Sequence, residues 1–150
     1  MARMTGDLGF ELHRLTAQLD RAADRILDAA LGLSYRRFLT LLLVGELQDP
    51  TQRALAEALG TSEPSVSRMT AVLAEAGYLD VTPSPQGGNR RRLSLTPSGK
   101  EAVERSRDLL DGRFARIVER SGVPYVDYSQ HTRALLDVLA EDAGPAPRRD

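Results

Sequence analysis

Leu8, Leu12, Leu15, Leu19, Ala22, Ala23, Ile26 and Ala30 recur at three- and four-residue steps, which lays them along one face of a long helix that Gly32 ends. Ser34 is a good N-cap for a second helix over 35–47. Its run Phe38, Leu39, Leu41, Leu42, Leu43 and Val44 is too continuous for a surface helix, so this element is expected at the centre of the core. Asp49-Pro50 breaks it, and Thr51 caps a short third helix, 52–59, stopped by Gly60. Thr61-Ser62 caps again before Glu63-Pro64, and Val66, Met69, Val72 and Leu73 carry the fourth helix to Gly77.

Period two replaces this pattern beyond Gly77. Residues 78–82 and 91–95 read as two strands, and Pro83 to Asn89 between them is turn chemistry, so a hairpin is predicted. Thr96 caps and Pro97 opens a long fifth helix with Val103, Leu110, Phe114 and Ile117 on one face, ending at Gly122. Val123-Pro124 begins a last helix carrying Tyr128, Leu135, Leu136 and Leu139, and the Pro-rich residues 143–150 read as a flexible tail.

Residues 51–69 have the spacing of a helix-turn-helix. Ala56 is small where the second helix crosses, Gly60 supplies the turn, and Leu55, Leu59, Val66 and Met69 fill the wedge. Ser62, Ser65, Ser67 and Arg68 are expected outward: hydroxyls suited to phosphates or base edges, and a guanidinium fork suited to guanine O6 and N7. Such a pattern also occurs on plain helical bundles. Charge changes the picture. The chain carries 20 Lys+Arg against 21 Asp+Glu, a formal charge of -1, so any polyanion site must be local. Between Val81 and Lys100 there is no acid, while Arg90, Arg91 and Arg92 follow Asn89 at the hairpin tip. A basic wing beside a recognition helix can place a guanidinium in the adjacent minor groove. Alternation puts Arg90 and Arg92 on one strand face and Arg91 on the other.

These residues resemble the MarR-type (multiple antibiotic resistance regulator) winged helix-turn-helix transcription factors over nearly the whole chain. The resemblance rests on Ala54-Leu55-Ala56 with Gly60, Ser65-Val66-Ser67-Arg68, Ala76-Gly77-Tyr78-Leu79, and Leu95-Thr96-Pro97-Ser98-Gly99. It implies a mainly α fold with a small β-hairpin wing: a winged helix-turn-helix DNA-binding lobe over 34–96, and a helical dimerisation base formed by the terminal helices over 8–32 and 97–142. It also implies a homodimeric repressor on double-stranded DNA with a palindromic operator, released by a small molecule. Carried over residue by residue, recognition contacts fall on Ser62, Pro64, Ser65, Ser67 and Arg68, phosphate contacts on Thr51 and Gln52, and wing contacts on Asn89, Arg90, Arg91 and Arg92. The family's wing usually holds an acid shortly before its arginine; this wing has Asn89 there.

The family's effector cavity, between base and lobe, would here be lined by Arg14, Tyr35, Arg37 and Phe38, suiting a small aromatic or amphipathic acid. Tyr35 and Phe38 read more simply as core and capping residues. His13 and His131 are the only histidines; with Glu11 or Asp127 they could approach zinc across an interface, though isolated helix histidines are usually solvated, and neither a metal nor a cofactor is expected. With no cysteine, the chain has no disulfide, thiol nucleophile or thiol sensor. It holds no glycine-rich phosphate loop, nucleophile elbow or catalytically spaced His and acid, so it reads as no enzyme. Without a long apolar run or a signal-peptide start it reads as cytoplasmic and not membrane-bound. The competing class is a winged-helix module for protein contacts, which would expose apolar or acidic residues where this chain has Ser65, Ser67 and Arg68.

Overall fold

Asp7 and Gly32 bracket the first helix as capping chemistry requires. The Asp7 carboxylate accepts from the Phe10 N–H, and Gly32, left-handed at φ 62°, returns its N–H to the Asp28 carbonyl. The computed structural model describes residues 7–88 and 90–142; Asn89 and the expected tail 143–150 lie outside them. The described elements are α1 (Leu8–Leu31), α2 (Tyr35–Glu46), α3 (Gln52–Leu59), α4 (Glu63–Glu75), β1 (Leu79–Pro83), β2 (Arg91–Leu95), α5 (Pro97–Ser121) and α6 (Tyr125–Asp142). The chain is therefore mainly helical with one antiparallel hairpin, paired from Leu79 opposite Leu95 to Pro83 opposite Arg91.

Differences from the expected bounds have local causes. The first strand starts at Leu79 because the Tyr78 N–H is taken by the Leu73 carbonyl, closing α4 through the left-handed Gly77. The second helix stops at Glu46, and Gln48 (φ 54°) and Asp49 (φ 59°) turn the chain through the left-handed region before Pro50. Pro50 itself disfavours a helical residue before it, and each non-glycine in that region costs about 1–2 kcal/mol.

One core joins the lobe. Leu27 and Leu33, then Phe38, Leu41 and Val44 of α2, Leu55 and Ala56 of α3, Val66 and Leu73 of α4, and Leu79 and Leu93 of the hairpin form it. Helix α2 is central, as its continuous apolar run demands. Val103 of α5 belongs to the same core, with Ala102 and Leu110 packed against it. Compactness accordingly divides the chain inside α5, with one unit up to Leu110 and a second from Asp111. In α1 the buried residues are Ala23 and Leu27, whereas Ala30, expected on the inner face, is exposed. No described helix is long and apolar enough to cross a membrane.

Candidate nucleic-acid interface

The geometry of this region begins with caps. Thr51 accepts from the Ala54 N–H and starts α3; Gly60, left-handed at φ 61°, ends it with its N–H on the Ala56 and Glu57 carbonyls. Ser62 then caps α4, accepting from the Ser65 N–H at 3.4 Å, and its hydroxyl donates to Ser65 Oγ at 2.9 Å. Pro64 fits the first turn because no N–H is needed there. A helix-turn-helix follows directly: Val66, Thr70 and Leu73 face inward, so Pro64, Ser67 and Arg68 form the exposed pole. Ser65 is half-buried, and its hydroxyl accepts from Arg68 Nη2 at 3.4 Å, which leans the guanidinium along the helix surface. The pole carries no large side chain except Arg68, so it is narrow enough for a major groove.

The hairpin is tied to this unit by more than its turn. The Leu93 N–H donates to the Pro50 carbonyl at 3.0 Å, and Thr51 bridges Arg92. Leu93, with no exposed surface, plugs β2 into the core. The wing thus shares its anchor with the first residue of the helix-turn-helix. Arg90 precedes β2, so the alternation expected of the tip arginines begins only at Arg91. Arg90 and Arg91 consequently line one cleft of about 460 Å³ together with Thr51, Gln52, Gln86 and Glu63. Glu63 was not among the residues expected here; its signal was its place in the first turn of α4. Gln52 also reaches inward, donating from Nε2 to Thr70 Oγ1 at 3.3 Å, so its amide links α3 to α4. Arg92 lies across from Thr82 on the other strand face. Asn89 is outside the described residues.

Charge pairing separates the arginines into two sets. Arg14, Arg53 and Arg107 pair with Glu11, Glu57 and Glu46. Among the described residues the other arginines, Arg36, Arg37, Arg68, Arg90, Arg91 and Arg92 included, have no carboxylate partner. Unpaired guanidiniums beside a small-residue helix pole are the chemistry that grips phosphates and base edges.

Of the expected effector residues, Tyr35, Arg37 and Phe38 share the first turn of α2 and Arg14 lies on α1. The rings of Tyr35 and Phe38 stand 6.0 Å apart, but Phe38 is 4% exposed and belongs to the core. The Tyr35 N–H donates to Asp24, and burial, with the Asp20 carboxylate, pushes its phenol above its ordinary value. Arg14 is exposed on α1, while Arg37 lines a cavity against α4. His13 and His131 fall in the two separate units. Among the described residues no group of three or more His, Asp or Glu side chains could hold a metal.

Known proteins share this arrangement. Residues 31–89 match the model of the MarR family. The HTH-type transcriptional regulator ML2140 of Mycobacterium leprae is 32% identical over 146 residues, covering 97% of this chain and 96% of its own. A MarR-family transcriptional regulator from Rhodococcus sp. RHA1 has a TM-score of 0.79 at 22% identity, over 92% of this chain and 96% of that one. A mutant MarR from E. coli complexed with operator DNA has a TM-score of 0.72 at 20% identity, over 92% and 94%. With the capped helix-turn-helix, the anchored wing and a relative matched from end to end, the chain belongs to the MarR family of winged helix-turn-helix transcriptional regulators.

Proposed function

We propose that this protein is a homodimeric repressor that inserts α4 into the major groove of a palindromic operator and lays its wing in the adjacent minor groove. The observation that carries this reading is the clear, narrow pole of Pro64, Ser67 and Arg68 beside wing arginines that form no ion pair among the described residues. The DNA complex of E. coli MarR, which shares the fold, supports the mode of docking. Dimerisation is supported by the apolar surface that the single chain leaves open. On α1, Leu8 and Phe10 are exposed, and on α6 so are Val126, Leu135, Leu136 and Leu139. Large apolar patches of this kind mark an interface. A winged-helix module for protein contacts would put apolar or acidic groups on the α4 pole, where this chain has Ser67 and Arg68.

Selection of bound duplexes from a random library at near-physiological salt, with a parallel mass measurement, tests the whole reading. A palindrome with half-sites about 10 base pairs apart, bound by two chains, is expected. Absence of any enriched sequence, or a monomer on DNA, overturns it. On the selected site, Arg68→Ala should relax preference at one position per half-site, costing about 1–3 kcal/mol of discrimination. Equal discrimination by wild type and variant would remove Arg68 from base reading. Replacing Arg90, Arg91 and Arg92 together by alanine should instead weaken all sequences alike. The salt slope should flatten by about 0.9 for each phosphate that the variant no longer neutralises. Undiminished binding by the triple variant would exclude the wing.

A further inference from the structure

At about 100° per residue, Ser65, Arg68, Met69 and Val72 lie on one flank of the α4 pole, and Glu63 lies on the opposite flank. Glu63 borders the wing cleft with Arg90 and Arg91. The other flank borders a second cavity, about 420 Å³, in which Arg36 and Arg37 of α2 face Ser65 and Arg68. The recognition helix is thus bounded by a guanidinium-lined cleft on each side.

The second cleft is purely cationic. Among the described residues its lining holds three arginines and no acid, and neither Arg36 nor Arg37 has a carboxylate partner. Arg36 is exposed, and its Nη2 donates to Thr61 Oγ1 at 3.5 Å, beside the turn that leads into α4. Met69 and Val66 also line the cleft, and the partners of Arg36 and Arg68 there are the neutral hydroxyls of Thr61 and Ser65, which leave the positive charge uncompensated. Like charges held together on a surface are stabilised by a polyanion that bridges them. A B-DNA major groove is about 12 Å wide and is bordered by a phosphate strand on each side. A helix lying in it meets both strands, and the wing cleft with Thr51 faces only one.

We infer that Arg36 and Arg37 hold the phosphate backbone of the second strand bordering the major groove that α4 enters. The inference rests on the operator-binding reading above. It moves Arg37 from an expected effector site into the DNA interface and adds Arg36, which the helix-turn-helix spacing does not single out. Contacts of this kind fix the register and tilt of α4 without carrying sequence information.

The test uses the full chain and fluorescence anisotropy on the selected operator and a scrambled duplex across a salt series. For Arg36→Ala/Arg37→Ala, the slope of log affinity against log salt should fall in magnitude by about 1.8, two phosphates at about 0.9 each. Operator and scrambled affinities should fall by the same factor. The Arg36→Lys/Arg37→Lys variant keeps both charges and should keep the slope. An unchanged slope in a variant with a wild-type melting curve overturns the inference. So does a loss confined to the operator, which would mean base reading, or a lysine variant that fails like the alanine one, which would mean a packing role. Should the double variant unfold, Arg36→Ala alone, at an exposed side chain, should lower the slope by about 0.9. A wild-type chain that selects no duplex overturns the operator reading. A wild type that selects one while the alanine variant matches it overturns only the role of α2.

Discussion

Replacing Gly99 by alanine lowers the unfolding free energy by about 3 kcal/mol or more, the upper end of the range for overpacked sites. A Cβ on Gly99 would press into the Tyr78 carbonyl oxygen and stand 3.3 Å from Leu95 Cδ2. The obstacle is backbone, and that backbone is held. The Tyr78 carbonyl accepts from the Thr96 N–H at 3.1 Å, and Thr96 Oγ1 donates to the Gly77 carbonyl at 2.6 Å. Thr96 Oγ1 also accepts from the Gly99 N–H at 3.0 Å, so one threonine caps α5 and ties it to the end of α4. Relief would require α5 to swing from the Gly77–Tyr78 turn, breaking these bonds and lifting Val103 from the core. Urea unfolding at fixed protein concentration reads the loss. A Gly99→Ala variant within about 1 kcal/mol of wild type would show that α5 pivots freely there.

The second large effect is expected at Leu93. Leu93→Ala should cost about 2.7–5 kcal/mol, the range for leucine truncation in a packed interior. Leu93 is fully buried, lies opposite Val81, and shares the core with Leu55 of α3 and Leu41 of α2. Its backbone N–H holds the Pro50 carbonyl, so the cavity left by truncation opens where the wing joins the helix-turn-helix. Stability and DNA affinity should fall together, because the same residue positions the wing arginines relative to Thr51. Leu93→Met, which roughly conserves volume, should cost less than about 1.5 kcal/mol. A truncation that destabilises while leaving affinity per folded molecule unchanged would show that the wing keeps its place by the hairpin pairing alone.

Much of this architecture is legible along the chain because its signals are local. Thr51, Gly60, Ser62 and Pro64 act on backbone groups within a few residues, so α3 and its turn into α4 fall where spacing places them. The centrality of α2 follows from apolar density alone. The hairpin is signalled by period two and glycine-rich turn chemistry, and its first strand starts one residue later than that pattern places it because the Tyr78 N–H has a helical partner. Membership of the family is legible from the same local motifs.

Element order, the caps, the helix-turn-helix and the basic wing that follows it are therefore all written in the primary structure, in interactions of short sequence separation. The remainder depends on which side chains distant segments bring together, and folding alone settles that. Gly99 and Gly112 are both glycines of one helix, yet an added Cβ meets backbone at the first and nothing at the second. Phe38 and Arg37 are neighbours in sequence, but packing sends the ring to the core and the guanidinium to the α4 flank. Arg90 and Arg91 share a cleft with Glu63 only because β2 begins at Arg91 and the strand is pinned to Pro50. The pairing of each arginine is settled likewise by which carboxylates the fold brings near: Glu46 reaches Arg107 across sixty-one positions, while Arg36, among the described residues, bonds to a threonine hydroxyl and to no carboxylate. Periodicity assigns a residue to a face; three-dimensional proximity alone decides what that face confronts.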